Sequence, residues 1–514
     1  MTRAHQKVLS VEELIATREE LRAQGKVVVQ CHGCFDLVHP GHIRYLKFAK
    51  QLGDALIVSV SGDDVVGKGP DRPYINEDLR LENLAVLEFV DYVCLDDNDW
   101  AGPILEKVRP DVYVKGKEYE NKGDPRFTRE RELVEGYGGK VVFSSGEVIY
   151  SSTFILNRFK ERFPLERERV EYYCQRHEIT RARLDTVLRA ISGARVLVLG
   201  DPILDQYIHC DATGIASETP ILSVCPLRED WFLGAGGLIA AQITELGARA
   251  GMLTGLHDGT MADRFREAAA GRNIELHEVT TDRRPVAIKT RYLVDEQKVF
   301  KVDSHRVLPL STQATTDLIA ALEQRLPSYD ALVVTDFGFG LFNQAIIDAV
   351  ARVCAALGKP YYLDVSHTRR ASILRFRGAR LATPTEQELR FAFADNEAGL
   401  SHLAALFFEQ TQTERLMLTM GKRGVLLFAR PSRPRERLKT DFLPALDSAS
   451  VDPIGAGDVF LSAATLSDLA GASAQVGAYF GAALAAVHVS RLGNHPVELS
   501  TLHGYLAQCR ELTP

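Results

Sequence analysis

Apolar residues in this chain come in short dense runs separated by stretches with helical spacing. KVVVQC, ALIVSVSGD, YVCL, VYVKG and KVVFSS are the runs of the first third. Between the first two lies IRYLKFAKQLG, which puts Ile43, Leu46 and Ala49 along one helical face. Continuous apolar strands alternating with amphipathic helices predict a parallel sheet covered on both sides. Ser10-Val11-Glu12-Glu13 has capping-box spacing and predicts a helix ending near Gly25. This series closes near residue 160.

Residues 161–192 are charged, helix-prone and free of glycine, and read as a partly helical linker. RVLVLGD then starts a second alternating series, with further strands near YDALVVTDF, PYYLDV and RLMLTMGKRGVLLF. After DPIGAGDVF the chain is alanine-rich and helical. The expected domains are therefore 1–160, the linker 161–192, and 193–514.

Composition narrows the class. At 514 residues the chain is too long for one ordinary core. With 46 % hydrophobic and 25 % charged residues it reads as a globular protein, not a disordered one. A net charge of −7 argues against a nucleic-acid partner. No apolar run has membrane-spanning length, and MTRAHQKVLS is not a signal peptide. Eight thinly spread cysteines fit a cytoplasmic location. Cys31 and Cys34 form a lone C-x-x-C inside a stronger motif, which makes a redox role secondary.

That motif is GCFDLVHPGH. A strand feeding a glycine turn and a helix brings free backbone N–H groups and the positive helix end to one point, a place for phosphate. Pro40 suits the first helical turn. The spacing of His39 and His42 can bring both imidazoles to the same side of the helix start, where they could donate to a phosphate as charge builds. In the second series, Asp452-Pro-Ile-Gly455-Ala456-Gly457-Asp458 precedes an apolar helix. Small residues there expose N–H groups to an anion, and the adjacent carboxylate can take a proton from a hydroxyl.

With Gly33, Cys34, Phe35, His39, Gly41 and His42, the first motif resembles the HxGH nucleotidyltransferases of the cytidylyltransferase-like group. Lys68, Arg80, Lys115-Gly116 and Ser151-Ser152-Thr153 extend the likeness. It implies a Rossmann-like α/β fold, nucleotide contacts at those residues, and Mg²⁺-assisted transfer of a nucleoside monophosphate to a sugar or alcohol phosphate. The second motif resembles the ribokinase-like sugar kinases. That likeness implies a second α/β domain with Asp458 as base, an anion hole at Gly455, Ala456 and Gly457, nucleotide contacts at Thr385 and Glu388, and sugar contacts at Asp205, Gly236, Gly237, Lys289 and Arg291. Four positions depart from the pattern: Leu238 and Thr385 stand where asparagine is expected, Phe339 where lysine is, and His367 in a stretch that usually reads D-P-K-G. Together the two halves resemble bifunctional heptose kinase/heptose-phosphate adenylyltransferases, in reversed order. ATP and small sugar substrates are the expected ligands, neither nucleic acid nor membrane is an expected partner, and self-association is open. The alternative is a cytidylyltransferase for a polyol phosphate, with the kinase-like half a binding or regulatory module.

Overall fold

The computed structural model describes residues 7–66, 73, 75–116, 125–144, 165–215, 219, 221–282, 284–304, 307–366, 371–431, 438–446 and 450–512. The chain forms two α/β units, one from residues 1–165 and 397–402 and the other from 166–396 and 403–514.

The first unit holds strands β1 (Val28–Gly33), β2 (Ala55–Ser61), β3 (Tyr92–Asp96), β4 (Val112–Lys115) and β5 (Lys140–Phe143). They pair in the order β3-β2-β1-β4-β5, all parallel. Its helices are α1 (Val11–Ala23), α2 (Pro40–Lys50), α3 (Glu77–Ala85), α4 (Gly102–Val108) and α5 (Pro125–Gly136). The capping box of Ser10 and Glu13 is present, and α1 stops just before Gly25 at φ 68°. Alternate strand residues feed two cores, as the period-2 pleat requires. Val29, Cys31, Leu56 and Val58 pack on Leu46 and Ala49 of α2. Val28, Ala55, Ile57 and Tyr113 pack on Leu14 of α1 and Leu105 of α4. The strand order reverses between β1 and β4, and their carboxyl ends are where such sheets bind ligands.

The second unit has a nine-stranded sheet and a four-stranded sheet. Its strands are β6 (Arg195–Gly200), β7 (Ile203–Ile215), β8 (Leu222–Gly234), β9 (Arg249–Leu256), β10 (Glu275–Thr280), β11 (Ala287–Val294), β12 (Gln297–Ser304), β13 (Ala331–Asp336), β14 (Tyr361–Val365), β15 (Leu381–Ala382), β16 (Arg415–Thr419), β17 (Val425–Ala429) and β18 (Lys439–Leu443). The large sheet runs β10-β9-β6-β13-β14-β15-β16-β17-β18, and the small one β12-β11-β7-β8.

Three features differ from the sequence expectation. Residues 165–192 are partly helical as expected, but they join the second unit instead of only linking. Helices Leu165–Arg176 and Arg181–Ala190 bury Val170, Tyr173, Cys174, Leu184, Val187 and Leu188 in the core of the second unit. Each set recurs at i, i+3, i+4, so an apolar stripe hidden among charges docks both helices. RLMLTMGKRGVLLF is a hairpin, because Gly421 and Gly424 take φ of 58° and 107° and β17 turns back antiparallel to β16. The small sheet was not foreseen. Every residue of β12 is exposed, so no alternation marks it.

Candidate functional sites

The first site lies where β1 ends. Gly33 closes the strand, Cys34 and Phe35 are buried, and Phe35 takes φ 48° to turn the chain. His39 is the N-cap of α2, and its Nδ1 accepts from the Gly41 N–H at 3.0 Å. That bond leaves the ring proton on Nε2. His42 faces the Leu37 carbonyl oxygen through Nδ1 at 3.0 Å. A carbonyl only accepts, so His42 carries a proton on Nδ1. The two rings lie 4.0 Å apart at 31°, and Phe35 meets His42 edge-on at 5.3 Å. Partial burial lowers the His39 pKa, which favours a neutral ring that still donates through Nε2. His42 can offer a donor at Nε2 only as the imidazolium.

Arg80 is buried, and its guanidinium donates to the Cys34 carbonyl, to the Ser61 carbonyl at 2.8 Å and to Asp63 at 2.6 Å. These bonds brace the turn that follows β1. Lys115 ends β4 across the switch point and is 3.0 Å from Glu130, with its ammonium over the Tyr113 ring. Gly116 follows it. Glu130 also accepts from the Tyr113 hydroxyl at 2.9 Å, a partner no motif announced. Burial pushes the Cys31 thiol up to about 12, the opposite of what thiol–disulfide exchange uses. Lys68, Ser151, Ser152 and Thr153 lie outside the described residues.

The second site surrounds the start of helix Ala456–Leu469. Gly455 is its N-cap at φ 80°, and Ala456, Gly457 and Asp458 form the first turn. Burial pushes the Asp458 carboxyl up to about 7; Lys289 opposes the rise, and Asp205 and Glu388 add to it. Lys289 packs its ammonium over Phe337 at 4.5 Å and Phe339 at 5.5 Å. Its pKa is lowered by burial, with the Asp205 and Asp458 carboxylates pulling the other way. Asp205 is buried on β7 and held by Arg291 and by Asn494, whose Nδ2 donates to Oδ2 at 2.9 Å. Asp205, Lys289, Arg291, Gly455 and Asp458 are thus brought together.

Gly236 and Gly237 are tightly packed. Both are buried at the start of helix Gly236–Glu245, where a Cβ would lie 2.9 Å from Thr335 Oγ1 and 3.1 Å from Leu233 respectively. Their missing side chains serve close packing. Thr385 and Glu388 engage each other. The Thr385 hydroxyl accepts from the Glu388 N–H at 3.2 Å, and Glu388 accepts from the Thr385 N–H at 2.8 Å, a capping box. Asp364 stands well above the usual carboxylate range through burial, then through the nearby Glu388 and Asp458 charges. Among the described residues no group of three or more His, Cys, Asp or Glu is placed to hold a metal ion. None of the described helices is long and apolar enough to cross a membrane.

The family model for pfkB family carbohydrate kinases matches residues 229–499, more than half of the chain. The chain belongs to the pfkB family. A cytidylyltransferase-like model matches residues 30–157, the segment that carries His39 and His42. The bifunctional protein HldE of Desulfatibacillum aliphaticivorans is 25 % identical over 319 residues, 61 % of this chain and 63 % of that protein. HldE of Alcanivorax borkumensis is 39 % identical over 157 residues, 30 % of this chain and 32 % of that protein. The chain thus covers less than two thirds of the length of these relatives. Phosphofructokinase-2 from Escherichia coli, solved in complex with potassium, superposes with a TM-score of 0.50 at 17 % identity, over 62 % of this chain and 99 % of that one. The pfkB half therefore has the ribokinase-like fold, and the first half a nucleotidyltransferase-like one.

Proposed function

We propose that this chain makes an activated sugar. The first unit transfers AMP from ATP to a sugar 1-phosphate, with heptose as the sugar, and the second phosphorylates the sugar with ATP. The observation that carries the reading is the paired imidazoles at the start of α2, 4.0 Å apart, with His39 accepting and His42 donating through Nδ1 so that both Nε2 atoms are left for a ligand. In the transfer, a phosphate oxygen of the sugar phosphate attacks the α-phosphorus. The bond to the β-phosphate oxygen breaks, and pyrophosphate leaves. The Nε2–H of His39 and an imidazolium His42 meet the charge that grows on the phosphoryl oxygens, beside the positive end of α2. No covalent enzyme intermediate is needed, so catalysis is positioning plus charge stabilisation.

In the kinase unit, Asp458 takes the proton of the attacking sugar hydroxyl as the oxygen bonds to the γ-phosphorus and ADP leaves. The N–H groups at Gly455, Ala456 and Gly457 face the transferring phosphoryl. A magnesium ion would arrive on the phosphates of the nucleotide, and the like charges of Asp364, Glu388 and Asp458, which raise one another, support a cation nearby without making these side chains its ligand set. The names of the relatives support the pairing of the two activities on one chain.

The test mixes the purified chain with ATP and heptose 1-phosphate and measures pyrophosphate and the mass of the product. ADP-heptose is expected. Pyrophosphate only with CTP and a polyol phosphate would favour a cytidylyltransferase, and none with any nucleotide would remove the transferase reading.

A further inference from the structure

Asn494 belongs to no recognised motif, yet it touches the centre of the kinase site. It follows helix Ala474–Val489 and is 2 % exposed. Its Nδ2 donates to Asp205 Oδ2, while its Oδ1 is buried without a hydrogen-bond partner. A Cβ built on Gly455 would fall 2.1 Å from that Oδ1, 2.7 Å from Leu238 Cδ2 and 2.9 Å from His488 Nε2. The anion-hole glycine, the unexpected leucine and the Asn494 amide therefore meet at one point.

The loop that carries Asn494 is tied to the DPIGAGD turn. Asp452 accepts from the Ile454 N–H at 3.1 Å and from the Gly493 N–H at 3.2 Å. The His488 ring lies between the Ile454 carbonyl at 2.7 Å and the His495 carbonyl at 3.0 Å. Asp452 also receives the Tyr207 hydroxyl at 2.9 Å and the Lys298 ammonium. Asn494 is placed by the same groups that shape the anion hole.

A buried carboxylate needs a donor on each oxygen. Arg291 serves Asp205 Oδ1, and Asn494 serves Oδ2. Leu238, next to them, has nothing to donate. We propose that Asn494 is the positioning residue of the sugar pocket, supplying from the C-terminal loop the amide that position 238 lacks and so fixing how Asp205 faces the sugar. This rests on the kinase reading above.

The test uses Asn494→Asp and Asn494→Leu in the full chain, each compared with wild type between roughly pH 5.5 and 8.5. Readouts are the kinase KM for heptose, followed by ADP release, and the melting temperature. In Asn494→Asp two carboxylates meet, with Arg291, Lys289, Asp458 and His488 the other charged or titratable groups around them. A shared proton restores the bond at low pH, and repulsion grows as it leaves. The sugar KM should rise about tenfold at the alkaline end and return toward wild type on acidification, since a like-charge contact shifts the paired group by a unit or more. The melting difference should widen in the same direction. Asn494→Leu should raise KM at every pH. A pH-independent effect of Asn494→Asp equal to that of Asn494→Leu, or no effect of either, overturns the proposal. Melting separates the two ideas: a pH-widening difference without kinase turnover in the wild type supports the Asn494–Asp205 bond and sinks the kinase reading instead.

Discussion

His39 has two jobs in this structure, and one substitution can part them. Its Nδ1 caps α2 by accepting from Gly41, while its Nε2–H is the donor assigned to the phosphate. Asparagine places its Oδ1 at the topological position of the imidazole Nδ1, so His39→Asn keeps the cap and loses the outer donor. Alanine loses both. A lost N-cap costs about 1 kcal/mol, which for a unit of this size lowers the melting temperature by roughly 2–4 °C. His39→Asn should therefore melt with wild type, and His39→Ala should fall below it by that amount. Both should lose transferase turnover on the order of 10²-fold, the usual effect of removing one preorganised donor. Pyrophosphate release under saturating ATP and calorimetry of the same samples provide the two numbers. If His39→Asn turns over like wild type, the ring is a cap and nothing more. If it melts as low as His39→Ala, the tautomer assignment is wrong.

Asp458→Asn should abolish phosphorylation of the sugar and leave pyrophosphate release intact; loss of both would show that the sites are not independent. Because the Asp458 carboxyl titrates at about 7, it is a base only above that value. Kinase kcat/KM, which reports the free protein, should then fall about tenfold per pH unit on the acid side, and a flat profile down to the ordinary carboxylate range would contradict the assigned base. Arg80→Met should destabilise the first unit by about 3 kcal/mol or more, as breaking a buried pair does, and should depress transferase turnover through the Cys34 turn. A stable variant with only a raised KM for ATP would return Arg80 to the nucleotide.

Much of the site could be read in advance because its chemistry is local. His39 and His42 stand three residues apart on one helix start, and Gly455 to Asp458 are consecutive, so helical geometry alone brings each set together. The bracing bonds of Arg80 were illegible for the opposite reason. A charged residue opening a helix looks like a ligand contact until tertiary structure closes around it, here with Cys34 and Ser61 accepting from its guanidinium. The packing of Gly236 and Gly237 was illegible for a similar reason, since a glycine that admits a ligand and one that admits a neighbouring side chain read alike.

The alternating apolar pattern sufficed for two α/β units and for the ends of the strands that carry chemistry, since burial on both faces of a parallel sheet imposes that pattern residue by residue. Contacts across hundreds of residues followed no such local rule. Asn494 reaches Asp205 only because Asp452 and His488 hold two distant loops together, and helices 165–190 join a core whose other walls are far along the chain. Such pairings are selected by shape and hydrogen-bond completion in the folded state, and no spacing in the sequence records them.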